Sequence, residues 1–150
     1  MRQKIRHVLG LVPLPVPARC LDLAGDAGLL AAFLQAEGGD WQVLEPEAGL
    51  LESARLLTGG AARKQEKDTL PFEDGSLDLV VIGNLPPDPQ QHRPLVAECH
   101  RVLSERGRLL LYTPHRKSWQ AARSLGRWVG AEAVEVRPPY SESDLFDLLK

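Results

Sequence analysis

Short apolar runs alternate with longer stretches of helical period along this chain, and that alternation limits the fold more than any other feature. "RCLDLA" (19–24) reads as a buried strand. A helix is expected over 28–37, "GLLAAFLQAE", stopped by Gly38 and Gly39. "WQVLEP" is a second strand, and "EAGLLESARLL" a helix whose leucines recur at helical spacing until "TGG" ends it. A weak strand follows at about 61–66. "SLDLVVIGN" is a continuous apolar run, the pattern of a strand covered on both faces. "DPQQHRPLVAECHRVLSERG" reads as a helix with Gly107 at its end, and "RLLLYTP" as another buried strand. "RKSWQAARSLGRWVG" and "YSESDLFDLLK" read as two further helices. Strands and helices in alternation predict an α/β domain built on a parallel sheet.

The 150 residues predict a single domain, 1–150. Residues 1–11 are expected to form a short helix, after which the prolines of "VPLPVP" lead the chain, extended, into the first strand. The basic N-terminal stretch has a short apolar part broken by prolines, so it does not read as a secretory signal. No apolar run is long enough to span a bilayer. A net charge of −2 gives no chain-wide attraction to nucleic acid or to an anionic membrane. The expectation is a cytoplasmic protein with no nucleic-acid partner and no stable membrane anchor. Cys20 and Cys99 lack metal-ligand spacing and read as buried thiols of a reducing compartment, so no metal site is expected.

Ligands of open parallel sheets sit beyond the carboxyl ends of the strands. The first strand ends in Ala24, Gly25, Asp26, Ala27 and Gly28, small residues that permit close backbone approach, with a helix N-terminus facing the same space. The same turn also serves as a plain strand-to-helix connection. Glu45 closes the second strand about 20 residues on, where an acid can accept both hydroxyl hydrogens of a ribose; Pro46 follows it. Glu66 and Lys67 follow the third strand, where a side-chain acceptor can meet an adenine amino group, although "RKQEKD" also fits a solvated loop. The glycines do not match a dinucleotide fingerprint, and no G-K-[ST] phosphate loop is present. A ribose-binding acid without a pyrophosphate cradle suits a nucleoside-type cofactor, and a nucleotide-dependent oxidoreductase is excluded.

Four stretches, in order, resemble a class I S-adenosylmethionine-dependent methyltransferase of the broad small-molecule group related to ubiquinone-biosynthesis methyltransferases. They are "CLDLAGDAG", "VLEPEAGLLESAR", "LPFEDGSLDLVVIGNLPPD" and "ECHRVLSERGRLLLYTPHR". The resemblance implies a Rossmann-like three-layer sandwich of about five strands, S-adenosyl-L-methionine as cofactor and a small-molecule acceptor. It implies that Asp22, Ala24 and Gly28, with Gly25 and Asp26 of the same turn, shape the methionine end. Glu45, with Pro46 beside it, would bind the ribose hydroxyls. Glu66 and Lys67 would lie by the adenine, and Asn84 and Leu85 beneath the sulfonium.

The chain departs from the family pattern at Ala24 and Asp26, where glycines are usual, and at "SERG", where a lysine–proline–glycine–glycine turn is usual. Asp26 has two opposed effects. Facing the cofactor carboxylate at about 4 Å, it costs about 4 kcal/mol at an effective dielectric of about 20, roughly a thousandfold in affinity. Facing the ammonium group, it is attractive.

Methyl transfer from a sulfonium needs positioning more than acid–base help, so a catalytic residue is hard to read from sequence. His115, after the fifth strand, is a weak candidate for a general base, and it also fits a surface histidine at a helix start. His92 and His100 read as exposed or packing residues. The basic, tryptophan-bearing segment "HRKSWQAARSLGRW" fits an ordinary amphipathic helix, an acceptor-side lid or an anionic docking surface.

The family's usual last two strands do not follow "YSESDLFDLLK", which leaves the fifth strand as an apolar edge. Three explanations fit that edge: a chain truncated after the helix ending at 150, a homodimer or partner chain that completes the sheet, or the Trp119–Trp128 helix folding over it. The alternative to an enzyme is a non-catalytic methyltransferase-like domain that binds a partner there.

Overall fold

The computed structural model describes residues 18–23, 27–65, 69–83 and 89–111. The expected helices at 1–11, around Trp119–Trp128 and at 140–150 lie outside these residues. The described chain runs β1 (Arg19–Leu23), α1 (Leu29–Gln35), β2 (Asp40–Glu45), α2 (Ala48–Leu57), β3 (Ala62–Lys64), β4 (Leu77–Ile82), α3 (His92–Val102) and β5 (Leu103–Leu111). A single 3-10 turn, Pro89–Gln91, precedes α3.

The five strands form one parallel sheet in the order β3-β2-β1-β4-β5. The chain moves outward from β1 to β3, then returns to the other side of β1 to lay down β4. Strand order therefore reverses between β1 and β4, the place where open α/β sheets hold ligands.

Successive residues of each strand point to opposite faces, which divides the core in two. Cys20, Trp41, Val43, Leu79 and Val81 pack beneath Leu30, Ala31 and Leu34 of α1 and Ala54 of α2. Leu21, Leu23, Leu44, Val80 and Ile82 pack beneath Leu95, Cys99 and Val102 of α3. This is why "LVVI" of β4 is apolar without alternation: both of its faces are covered. Each such side chain contributes about 1.5–3 kcal/mol by leaving water. Both cysteines are free and buried, as expected. Burial first, then the nearby acids, pushes each thiol up to about 12.

The boundary between α3 and β5 differs most from expectation. The helix read as continuing to Gly107 ends at Val102, and β5 begins at Leu103 rather than Arg108. Leu77 pairs with Leu103 and Leu79 with Arg108, so two residues of β4 are matched by five of β5. Gly107 thus sits within a bulged strand and not at a helix end. A methyl group there would lie 2.9 Å from the Ser104 carbonyl oxygen and from Leu103 Cδ2. The departure "SERG" keeps its glycine because backbone fills that space.

Candidate functional site

The carboxyl ends of β1 and β2 each present one acid. Asp22 lies on the face of Cys20, and Glu45 on the face of Val43, so both acids share the side covered by α1 and α2. Asp22 is in register with Val43, which places Glu45 one pleat nearer the strand ends. Asp22 is 1% exposed and Glu45 0%. A carboxylate out of water needs polar partners, and each acid finds one at the start of the helix that follows its strand.

Asp22 Oδ2 accepts the Ala31 N–H at 3.2 Å. Ala31 is the third residue of α1, whose N-cap, Gly28, has no side chain to accept such a bond; the strand acid caps the helix in its place. Glu45 Oε1 accepts the N–H of Glu47 at 2.9 Å, immediately before α2. The Glu45 carbonyl in turn accepts the N–H of Gln65, just beyond β3, at 3.0 Å. Three rim segments therefore meet at Glu45. Pro46 follows it and is exposed.

Gly28 has φ +73°, in the left-handed region that favours glycine. A methyl group on it would lie 3.2 Å from Thr58 Cγ2 and 3.4 Å from Ala54 Cβ. The small residue is thus demanded by the approach of α2. Ala27, before it, is also left-handed at φ +58°.

Of the residues expected at the site, Asp22 and Glu45 come together at the strand ends, with Gly28 and Pro46 in the turns that follow. Ala24, Gly25, Asp26, Glu66, Lys67, Asn84, Leu85 and His115 lie outside the described residues. His100 is exposed, whereas His92, the first residue of α3, is buried at 3% exposure.

A second polar cluster was not singled out from the sequence. Arg101 donates from Nε and Nη2 to the two carboxylate oxygens of Glu98, at 2.9 and 2.8 Å. It also donates to the carbonyls of Phe72 and Leu70, at 2.9 and 3.0 Å, and to Asp74 Oδ1 at 2.7 Å. That is one bond for each of the five donors of a guanidinium. Glu98 Oε2 also accepts the N–H of Leu70, at 2.9 Å. The Arg101 bonds, then the Leu70 bond, hold the Glu98 carboxyl down at about 2. Glu98 and Arg101 are three residues apart, but Leu70, Phe72 and Asp74 lie 27 to 31 residues from Arg101, beyond the reach of a periodicity argument.

The sheet order and the paired rim acids define a Rossmann-like methyltransferase fold. Residues 21–111, more than half of the chain, match the family model described as a methyltransferase domain, and the chain belongs to that family. Among solved structures, a SAM-dependent methyltransferase from Thermotoga maritima is 21% identical with a TM-score of 0.68, over 97% of this chain and 66% of that one. A SAM-dependent methyltransferase from Methanosarcina mazei is 21% identical with a TM-score of 0.69, over 91% of this chain and 79% of that one. A protein from Pyrococcus horikoshii is 16% identical with a TM-score of 0.72, over 99% of this chain and 79% of that one. The chain thus spans just under two thirds of the Thermotoga protein. No curated protein matches the sequence.

Proposed function

We propose that this chain binds S-adenosyl-L-methionine across the carboxyl ends of β1 and β2 and serves the transfer of its methyl group to a small-molecule acceptor. The observation that carries the reading is Glu45: a fully buried carboxylate at the end of β2, beside the reversal of strand order. The donor set fits the cofactor. A ribose offers two hydroxyl donors, and a carboxylate is an acceptor with about four lone-pair positions.

In this reading Asp22 orders the start of α1 beneath the methionine end, where the turn of Ala24, Gly25, Asp26 and Gly28 lies. Glu45 and Pro46 hold the ribose. Glu66 and Lys67 border the adenine, and Asn84 and Leu85 the sulfonium. The bound cofactor supplies an electrophilic methyl group, so the chain's own task is to orient it and exclude water. His115 is the candidate to accept an acceptor's proton.

Calorimetry with S-adenosylmethionine and its demethylated product, S-adenosylhomocysteine, tests the reading. Micromolar binding is expected. Glu45→Ala weakens it by about 100-fold, since two hydrogen bonds to a charged acceptor at about 1.5 kcal/mol each are lost. Absence of heat at millimolar cofactor overturns the reading.

A further inference from the structure

Glu45 has a charged neighbour on the next strand. The register of β2 and β3 pairs Glu45 with Lys64. Ala62 lies in the core with Val43, so Lys64, two residues on, turns to the same face as Glu45. Adjacent strands run about 5 Å apart, and the backbone is fixed here, because the N–H of Gln65 is bonded to the Glu45 carbonyl at 3.0 Å. The two side chains differ in their surroundings: Glu45 is fully buried, whereas Lys64 is exposed. Among the described residues Lys64 takes part in no ion pair.

We infer that Lys64 is a second ribose-binding residue: its ammonium, at the solvent edge of the rim, donates to the hydroxyls whose hydrogens Glu45 accepts. The inference rests on the cofactor site proposed above. A hydroxyl both donates and accepts, a carboxylate only accepts and an ammonium only donates, so the two side chains complete the bonding of one ribose. The flexible four-carbon stem of a lysine lets its head reach past the strand end. The rival explanation is a solvated edge lysine. β3 has three residues and lies at an edge of the described sheet, and charges on such strands discourage pairing with other chains. Arg63 separates the two. It carries the same charge on the same strand and is also exposed, but it pairs with Leu44 and so turns to the opposite face.

Calorimetric titration with S-adenosylhomocysteine, alongside melting temperatures, tests the inference. Lys64→Gln raises the Kd about fivefold, the loss of one net hydrogen bond. Lys64→Arg, which keeps the charge and the donors, recovers most of that loss. Arg63→Gln leaves the Kd within about twofold. All three variants melt with the wild type, since exposed side chains outside any ion pair contribute little to the fold. The ribose-dideoxy analogue of S-adenosylhomocysteine, which lacks both hydroxyls, binds Lys64→Gln and the wild type alike. Wild-type affinity in Lys64→Gln overturns the inference, as does an equal loss in Arg63→Gln or a loss that survives in the dideoxy analogue. Absence of binding by the wild type overturns the cofactor site and this inference together.

Discussion

The rim of β1 and β2 and the flank where α3 meets the β3–β4 connection both rely on acids, but they use them differently. At the rim, Asp22 and Glu45 are buried, and each accepts a backbone N–H at the start of the next helix. At the flank, Glu98 is partly exposed and locked to a guanidinium that satisfies three other groups. A carboxylate neutralised by a fork of N–H donors has its strongest acceptor positions consumed and serves as a structural joint. The rim acids are buried at strand ends and accept backbone N–H groups, the setting in which the proposed reading has Glu45 meet a ribose. In the proposed reading, the difference separates residues that build the molecule from residues that serve the cofactor.

Arg101→Ala is the strongest way to break the comparison. It removes five bonds, two of them to main-chain carbonyls, and is expected to lower stability by about 3 kcal/mol. In a chain of this size that is a fall of roughly 6–12 °C in melting temperature, measured calorimetrically. Glu45→Ala should give the reverse profile, a small change in melting temperature with a large loss of cofactor affinity. Should Glu45→Ala melt as low as Arg101→Ala while cofactor affinity survives, the division between the two regions fails.

Gly107→Ala comes next, because the added methyl meets backbone at Ser104. About 1–3 kcal/mol is expected from overpacking, read from urea midpoints. The pH dependence of stability sharpens the comparison further. The Glu98 carboxyl is held at about 2, below its ordinary 4.5. A lowered carboxylate stabilises the fold above its unfolded pKa, and that stabilisation is lost as pH falls from about 5 through about 2. The loss should be visible in urea midpoints of the wild type and reduced in Arg101→Ala. The smallest effect concerns Cys20 and Cys99. Both thiols are buried and held protonated, so they should resist alkylation at pH 8 in the folded protein and react together once it unfolds.

Much of the architecture was legible in the sequence. The runs around Leu21, Val43 and Val80 announced strands, and Glu45 was marked as the rim acid by its place after "WQVL". The end of α3 was not legible. "ECHRVLSERG" continues a helical pattern through Leu103, and only pairing with Leu77 draws that residue into a strand. The packing of Gly28 against Ala54 and Thr58 was not legible either, since it joins residues about thirty apart. The grip of Arg101 on Leu70, Phe72 and Asp74 joins residues about thirty apart, which no local pattern encodes.

Taken alone, the sequence determined the α/β class, the parallel sheet and the acid that closes β2, because apolar periodicity and turn chemistry act over a few residues and are written in consecutive letters. Tertiary structure decided where α3 gives way to β5, which side Asp22 and Glu45 share, and what Arg101 holds. Those outcomes depend on which atoms meet after the sheet closes, and hydrogen-bond geometry is satisfied by neighbours in space rather than along the chain.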